Sequence, residues 1–386
     1  MGNSPKGQAM TFNEETQFVA GKAMTLDGSN IGYHKERVEA WARGEKVAPV
    51  FMDIAWTRKC QAACHFCYAQ AQASEGGEIT WDHAQAFLED AAEIGVLAMH
   101  YISDGESTMV PWYAQSVELA ASLGIQLGAG TNGISTTQPV LERILPHLMS
   151  FRVNFSAGEK KRYAEIMGLK QRVYDIVIEN IRAAVALVRS NKWPCIVNMN
   201  LVSDPKDYDQ LLPFAHLAKD LGVHYAIIKH CAVDPDGVLD VDFKGYGAIE
   251  ETLKACEALS DDTTKIVVKW NKLRHQGVRQ YSTCMGPPFA LQMSGNGLIA
   301  PCGPLFNEKY RAFHIGNITK ERFKAMWESP RYWEVMRYLA SPEFDPRKRC
   351  PSDCMQNLTN DWLSRWKSGQ VTFPISPAPA NVSFLA

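Results

Sequence analysis

The sequence predicts an α/β fold of repeated strand–helix units, followed by a smaller α+β region. Between about residues 49 and 275, strand-like and helix-like segments alternate six times. The strand-like segments are rich in apolar and β-branched residues, which is typical of a parallel sheet buried on both faces. After residue 275 the alternation stops, and four cysteines occur among short strand-like pieces and two helical segments.

The repeated units can be assigned in order along the chain. Strands are predicted at 49–57, 97–105, 125–133, 150–158, 194–202 and 224–231. Helical periodicity covers 79–95, 112–124, 137–148, 173–191, 208–222 and 246–260. Repeated βα units form either an α/β barrel or a doubly wound sheet, and the pattern alone does not choose between them.

The remaining segments divide the chain into four parts. Residues 1–48 form an N-terminal extension, with loop to about residue 30 and a helix over 31–46. Residues 49–275 hold the strand–helix units, and residues 276–370 form a second domain with helices near 319–328 and 330–340. The Pro-rich tail, 371–386, lacks periodicity and is predicted to be extended.

Composition excludes several classes of protein. With 46% hydrophobic and 21% charged residues, the chain has the make-up of an ordinary globular protein. The net charge of −2 offers no general attraction for nucleic acid or anionic membranes. The N-terminus lacks the apolar core of a secretory signal, and no apolar run approaches a membrane span. We therefore expect a cytoplasmic protein with no nucleic-acid or membrane partner.

Ten cysteines are many for a cytoplasmic protein. In a reducing compartment, clustered thiols indicate metal binding or catalysis rather than disulfides. Cys195 and Cys256 are isolated in predicted sheet and helix and are interpreted as packing residues. Seven others form two groups, and Cys231 ends the sixth predicted strand. The groups are Cys60, Cys64 and Cys67, and Cys284, Cys302, Cys350 and Cys354.

The first group forms a CxxxCxxC pattern directly after the first predicted strand. Three thiolates on one short loop suit three irons of a [4Fe–4S] cluster, leaving the fourth iron open to bind a small molecule. A zinc site would usually pair CxxC with a second CxxC or with histidines. His65, inside the loop, does not supply that pattern.

Cys60, Cys64, Phe66 and Cys67 resemble the CxxxCxφC motif, with φ aromatic, of the radical S-adenosylmethionine (radical SAM) superfamily. The resemblance implies a partial (β/α)6 TIM-like barrel and S-adenosylmethionine (AdoMet) chelated to the open iron. It also implies reductive cleavage of AdoMet to a 5′-deoxyadenosyl radical, which abstracts a hydrogen atom from the substrate. Phe66 would pack against the adenine, and a flavodoxin or ferredoxin-type protein would supply the electron.

Other strand ends match the same family in part. Gly105 and Glu106 match the end of its Gly-Gly-Glu motif, whereas Asp104 departs from it. The resemblance implies that these two residues, with Asn132 and Ser156 at the next two strand ends, bind AdoMet. An Arg-Gly pair of the family, expected to help bind the cofactor carboxylate, is replaced here by Met167-Gly168.

The second group predicts another metal site. Cys284 and Cys302 flank a predicted hairpin with its turn at residues 295–297, which would bring these thiols together. With Cys350 and Cys354 they complete four thiolates, enough for one [4Fe–4S] cluster or for a structural zinc. Spacing alone does not exclude either metal.

This region resembles the auxiliary-cluster domain called SPASM and, more closely, its shortened form, Twitch. The resemblance rests on the GxxxxC spacing from Gly297 to Cys302 and on the runs at 314–318 and 326–329. A full SPASM domain has seven cysteines. The four present here imply a single auxiliary cluster, fully ligated by the protein.

Candidate catalytic residues follow the sixth strand. Cys231 lies where barrel active sites lie and is a candidate hydrogen-atom donor, or else a buried strand-end thiol. Lys229 and Asp234 are candidate bases, and Asn198 and Asn200 share one face of the fifth strand as candidate substrate contacts.

The sequence thus predicts a radical SAM enzyme acting on a small polar metabolite, such as a sugar, aminocyclitol or nucleoside, by oxidation, dehydration or epimerisation. One alternative is a maturase that modifies a ribosomally made peptide. Another is a non-enzymatic protein stabilised by zinc, which metal analysis would separate from the other two.

Overall fold

The computed structural model describes residues 16–19, 22–25, 29–72, 76–232, 238–239, 241, 245–270, 273, 278–350 and 354–385. The predicted base Asp234 lies outside these residues. Among the helices so described, none is long and apolar enough to cross a membrane.

Twelve strands are described, ten of them in one sheet. They are β1 Thr16–Val19, β2 Lys22–Thr25, β3 Phe51–Ile54, β4 Ala98–Tyr101, β5 Gln126–Thr131, β6 Leu148–Asn154, β7 Ile196–Ser203, β8 Tyr225–His230, β9 Lys265–Val268, β10 Ala290–Met293, β11 Leu298–Ala300 and β12 Gly316–Asn317. The sheet runs β12-β11-β10-β3-β4-β5-β6-β7-β8-β9 and is open, with all pairs from β10 to β9 parallel. This confirms the α/β prediction with a partial barrel.

The helices between these strands confirm the predicted alternation. They are α1 Lys35–Ala42, α2 Trp81–Ile94, α3 Tyr113–Ser122, α4 Gln138–Ile144, α5 Lys160–Met167, α6 Arg172–Asn191, α7 Leu211–Leu221, α8 Glu250–Ala258, α9 Phe323–Glu328, α10 Pro330–Ala340, α11 Pro346–Arg349 and α12 Asn357–Lys367. The sequence analysis did not predict α5, which has only eight residues.

The prediction of loop up to residue 30 is wrong for part of that segment. Strands β1 and β2 pair antiparallel, from Thr16 opposite Thr25 to Val19 opposite Lys22. Each strand has only four residues, which is too short for a period-two pattern to stand out in the sequence.

Local sequence explains where the helices begin and end. In α2, Thr80 caps the N-terminus by accepting a hydrogen bond from the His83 backbone N–H at 3.4 Å, while His83 Nδ1 accepts one from the Thr80 N–H at 3.3 Å. Gly95 ends the helix in the left-handed conformation, with φ +100°. Such reciprocal caps satisfy backbone groups that the helix leaves unpaired.

The two faces of the parallel sheet differ in chemistry. Residues that alternate along β3, β4, β6 and β7 join the main core on the helix side, for example Met52 and Ile54 of β3. The residues between them face the other way, since side chains alternate along a strand. We call this other side the inner face; it carries Asp53, His100, Arg152, Asn198, Lys229 and Gln292.

The second region extends the same sheet. Strands β10 and β11 form the predicted hairpin, in which the Ser294 N–H donates to the Leu298 carbonyl at 2.9 Å and Gly297 adopts φ +85°. Strand β10 pairs with β3 in parallel, with Ala290 opposite Phe51. The region containing the second cysteine group is therefore continuous with the strand that leads to the first.

The C-terminal tail has no helix or strand over residues 371–385, and it is docked against the sheet. Asn30 Nδ2 donates to the carbonyls of Asn381 and Phe384 at 3.0 and 2.9 Å. The Phe384 ring lies 5.6 Å from Phe51 and 6.3 Å from His100, measured between ring centroids. The tail thus covers the inner face near the N-terminal ends of β3 and β4.

Candidate functional site

The loop from Cys60 to Cys67 follows β3 and contacts the C-terminal end of α5. The Ala63 N–H donates to the Met167 carbonyl at 3.0 Å. Gly168, at φ +61°, ends α5 so close to the loop that an added Cβ would lie 2.6 Å from the Ala63 carbonyl oxygen. The Met167-Gly168 pair, which departs from the family pattern, therefore supports the cysteine loop through its backbone.

The three thiols of this loop lie near one another. Burial first, and then the nearby Cys67 and Cys60, together raise the pKa of Cys64 to about 12. Cys60 is exposed, whereas Cys64 and Cys67 are half-buried. Thiolates crowded in this way need a cationic partner, so the donor set fits three irons of a cluster that is open on one side.

Asn132, a predicted AdoMet contact, lies against the cysteine loop. Its Nδ2 donates to Gln61 Oε1 at 3.0 Å and points to Cys60 Sγ at 3.8 Å. Its backbone N–H donates to Glu106 Oε2 at 2.6 Å. Asn132 therefore orients the loop that carries Cys60.

Glu106, predicted to bind the AdoMet amino group, is buried and well supplied with donors from the protein. Its Oε1 accepts from the Thr108 N–H, the Thr108 hydroxyl and the Thr131 hydroxyl at 3.3, 2.6 and 2.8 Å. Burial raises the pKa of Glu106, and these donors, with Asn132, lower it. A carboxylate has about four acceptor positions, and protein donors occupy those of Glu106. Glu106 therefore mainly connects the ends of β4 and β5.

Gly105 lies where a larger residue would not fit. It adopts φ +84°, and an added Cβ would lie 2.0 Å from the Thr57 carbonyl oxygen. Gly295, in the turn of the β10–β11 hairpin, also lies against Thr57. A Cβ added to Gly295 would lie 2.1 Å from the Thr57 carbonyl carbon. Two glycines from distant parts of the chain thus enclose the start of the cysteine loop.

Asp104 joins these parts. It is 1% exposed; its Oδ2 accepts from the Ser294 hydroxyl and its Oδ1 from the Gly295 N–H, both at 2.7 Å. Arg58 Nε, at the start of the cysteine loop, lies 3.1 Å from Oδ2. The residue that departs from the family motif therefore connects the hairpin of the second region to the cysteine loop.

A second contact fixes the cysteine loop on its other side. His65 Nε2 lies 3.2 Å from Asp207 Oδ2 and 3.6 Å from Asp204 Oδ2, just beyond the end of β7. The hydrogen bond to Asp207 raises the pKa of His65. Local sequence patterns did not predict this contact, because the partners are far apart along the chain.

Phe66 and Ser156 stay predicted AdoMet contacts. Phe66 is half-buried and packs against the main core, with its ring 5.5 Å from that of His65. Ser156 is 2% exposed, and its hydroxyl accepts from the Val202 N–H at 3.2 Å. Ser156 thus also continues the pairing between β6 and β7.

The predicted catalytic residues Lys229 and Cys231 lie at the end of β8. Cys231 is buried, its Sγ donates to the Ser203 carbonyl at 3.4 Å, and its N–H donates to the Tyr246 hydroxyl at 2.9 Å. Burial raises the pKa of Cys231 to about 12, so it remains a thiol near neutral pH. Lys229 is half-buried on the inner face. Their catalytic roles stay predictions.

The second cysteine group comes together in the structure. The four thiols line one pocket, whose walls are otherwise mostly apolar and include Leu339 and Phe344. Burial raises the pKa of Cys302 well above its usual value, and the approach of the other three thiols raises it further. Four such sulfurs in an apolar pocket fit a fully ligated cluster. They are Cys284, Cys302, Cys350 and Cys354.

Asn360 of α12, which the sequence analysis missed, contacts this pocket. Its Nδ2 points to Cys284 Sγ at 3.8 Å and to Cys354 Sγ at 3.7 Å, and Cys284 lies 76 residues away along the chain. Its Oδ1 accepts from the N–H groups of Met285 and Gly286 at 2.6 and 2.8 Å, which fixes the amide orientation.

Replacing Asn360 by alanine is expected to lower the midpoint potential of the auxiliary cluster. N–H donors to cluster sulfurs stabilise the reduced, more negative state, so their loss shifts the potential downward, on the order of tens of millivolts. An anaerobic redox titration followed by electron paramagnetic resonance measures the shift. The exposed Asn191→Ala is the matched control, and an unchanged potential in Asn360→Ala would contradict the assignment.

Family models match both parts of the chain. A model described as the radical SAM superfamily matches residues 54–218, and one described as an iron–sulfur cluster-binding domain, SPASM, matches residues 284–355. The first range contains the first cysteine group and Cys195, and the second range contains the second cysteine group.

Three curated proteins are similar in sequence. The AdoMet-dependent heme synthase of Methanosarcina barkeri is 23% identical over 318 residues, which are 75% of this chain and 85% of that protein. The tungsten-containing aldehyde ferredoxin oxidoreductase cofactor-modifying protein of Pyrococcus furiosus is 24% identical over 305 residues, 72% and 80% of the two chains. The PqqA peptide cyclase of Gluconobacter oxydans is 28% identical over 213 residues, 52% and 55%.

The fold is similar to that of SuiB from Streptococcus suis. The structure of SuiB bound to S-adenosylmethionine superposes with a TM-score of 0.59 at 14% identity, covering 79% of this chain and 72% of SuiB. The structure bound to the precursor peptide SuiA gives a TM-score of 0.57 at 14% identity, covering 83% and 75%. These likenesses concern the fold.

Proposed function

Because this chain belongs to the radical SAM superfamily and carries a SPASM-type iron–sulfur domain, with [4Fe–4S] clusters and AdoMet as cofactors, we propose that it modifies a peptide. The observation that carries the proposal is the pairing of an open three-cysteine site and a closed four-cysteine site on one sheet, in a chain with a peptide cyclase among its relatives. The same relatives support the peptide alternative better than the small polar metabolite first predicted.

Each cysteine group has a distinct place in this proposal. Cys60, Cys64 and Cys67 hold the cluster that binds AdoMet, and the four sulfurs of the second pocket hold the auxiliary cluster. When bound, the first cluster supplies the electron that cleaves AdoMet, so that a hydrogen atom can be taken from the substrate. Glu106 and Asn132 keep the loop of the first group in place through the contacts described above.

The substrate class can be tested without knowing the substrate. Cells of the source organism are grown in deuterated water, and their extract is separated into peptide and small-molecule fractions. Each fraction is incubated anaerobically with reconstituted enzyme, unlabelled AdoMet and dithionite. We expect deuterium in 5′-deoxyadenosine from the peptide fraction, because the hydrogen atom would come from a carbon of the substrate.

Protease treatment provides the control for this experiment. Digesting the peptide fraction beforehand should remove the deuterium transfer, and the Cys64→Ala variant should show none from either fraction. Transfer only from the small-molecule fraction, resistant to protease, would overturn the peptide proposal and return the function to a small metabolite.

A further inference from the structure

Three side chains from two distant segments of the chain converge beside the cysteine loop. His65 lies inside that loop, whereas Asp204 and Asp207 lie just beyond the end of β7. One ligand atom of each residue, an imidazole nitrogen or a carboxylate oxygen, lies within 4.8 Å of the other two. One imidazole and two carboxylates form a donor set that binds divalent transition-metal ions such as Mn²⁺ and Zn²⁺. We call these three residues the His–Asp–Asp group.

Each aspartate of the group is oriented by a hydrogen bond to its other oxygen. Asp204 Oδ1 accepts from the Lys206 backbone N–H at 3.1 Å, and Asp207 Oδ1 accepts from Arg162 Nη2 at 2.7 Å. The two Oδ2 atoms are the ones that approach His65 Nε2, at 3.6 Å for Asp204 and 3.2 Å for Asp207. Hydrogen bonds that fix a carboxylate in this way are typical of the surroundings of metal ligands.

The second oxygen of Asp204 gives an independent indication of a ligand. Asp204 is 0% exposed, and among the described residues its Oδ2 is buried without a hydrogen-bond partner. The 3.6 Å separation from His65 Nε2 is too long for a hydrogen bond. A buried carboxylate oxygen normally meets a donor or a cation, because its removal from water is costly. A metal ion shared with His65 would satisfy this oxygen.

The spacing of the ligand atoms also suits a shared ion. Metal–ligand bonds of about 2.1 Å place two ligand atoms about 3 Å apart in octahedral geometry and about 3.4 Å apart in tetrahedral geometry. The distances from His65 Nε2, 3.2 and 3.6 Å, lie close to these values. A simple hydrogen bond from His65, in contrast, reaches Asp207 alone and leaves Asp204 Oδ2 unsatisfied. The His65 side chain is 39% exposed, so an ion and its water ligands have access from solvent.

We propose that the His–Asp–Asp group binds one divalent transition-metal ion, of the Mn²⁺ or Zn²⁺ class, separate from both iron–sulfur clusters. His65 Nε2, Asp204 Oδ2 and Asp207 Oδ2 are its protein ligands, and water completes the coordination. The ion connects the cysteine loop to the segment that follows β7, two parts of the chain about 140 residues apart. This site does not depend on the class of substrate, so it is independent of the peptide proposal.

The test uses Mn²⁺ as the probe and electron paramagnetic resonance as the readout. Mn²⁺ is titrated into the reconstituted enzyme without AdoMet, with both clusters kept in the oxidised, diamagnetic state. We expect one tightly bound Mn²⁺ per chain, which Zn²⁺ displaces. Electron spin echo modulation should show a ¹⁴N nucleus coupled to the bound Mn²⁺, because one ligand is an imidazole nitrogen. Asp204→Asn and His65→Gln should each bind Mn²⁺ at least about tenfold more weakly, and His65→Gln should lack the nitrogen coupling.

The variants are chosen to keep the fold. Asp204→Asn retains an oxygen that can accept from the Lys206 N–H, and iron content and thermal unfolding report whether the clusters and the fold are intact. Asp209→Asn is the matched control, since Asp209 also contacts Arg162 but does not belong to the group. This control should bind Mn²⁺ as the unaltered enzyme does.

Three results would overturn the site. The first is the absence of a stoichiometric, Zn²⁺-sensitive Mn²⁺ in the unaltered enzyme, and the second is a bound Mn²⁺ without nitrogen coupling. Both are measured without any variant, so they decide the matter even if a variant does not fold. The third is an affinity that falls as much in Asp209→Asn as in Asp204→Asn. Because Mn²⁺ binding needs no turnover, a failed peptide experiment would leave this site unaffected.

Discussion

Replacing Cys60, Cys64 and Cys67 together by alanine is expected to abolish reductive cleavage of AdoMet. These three sulfurs lie on one loop, and without them the first cluster has no protein ligands. Iron content should fall from about eight to about four atoms per chain, because the second pocket keeps its own four sulfurs. The measurements are iron and sulfide counting after anaerobic reconstitution, and chromatography of 5′-deoxyadenosine formed with dithionite.

A complementary variant locates the second cluster. Replacing Cys350 and Cys354 by alanine should remove the other irons, about four per chain. Cleavage of AdoMet in the absence of substrate should still be detectable in this variant. Cys256→Ala, in the buried side of α8, is the matched cysteine control and should retain both clusters. Retained cleavage in the triple variant, or full iron content in the double variant, would show that the cysteines are assigned to the wrong sites.

Replacing Asp104 by alanine is expected to destabilise the junction between the hairpin and the cysteine loop. The change leaves the Ser294 hydroxyl and the Gly295 N–H without this acceptor and removes the ion pair between Asp104 and Arg58. Because Asp104 is almost fully buried, the free energy of unfolding should fall by about 3 kcal/mol. Thermal unfolding of the reconstituted enzyme, monitored by circular dichroism, reports the loss as a lower transition temperature.

Hydrogen exchange locates the effect of this change. In Asp104→Ala, amides of the 294–298 turn and of the cysteine loop should exchange faster, while those of α6 keep their protection. Asp175→Asn is the matched control; its ion pair with Lys160 is exposed and should contribute less than about 1 kcal/mol. If Asp104→Ala behaves like that control, then Asp104 does not hold the two parts together.

Local patterns in the sequence predicted much of this structure. Cys60 to Cys67 lie within one loop, so their spacing alone brings three sulfurs together. The hairpin around Gly297 likewise depends on a few neighbouring residues. Strand–helix alternation predicted the parallel sheet, because burial on both faces gives a strand its continuous apolar run.

The contacts that position the site depend on residues distant in sequence. Asp104 meets Ser294 across 190 residues, and Asn360 meets Cys284 across 76. The pairing of β10 with β3 produces the first contact, and the packing of α12 against the second cysteine group produces the other. Neither partner lies in a local sequence pattern that indicates the other, so the sequence analysis could not identify these contacts.

The sequence by itself determined the two cysteine groups, the order of the strand–helix units and the family motif, because each is encoded by spacing within a short segment. Only the tertiary structure decided that one sheet joins the two groups, that Asp104 links them, and that His65 meets Asp204 and Asp207. The physical reason is that strand pairing sets which distant side chains become neighbours. Those neighbours then decide which charges and hydrogen-bonding groups are satisfied.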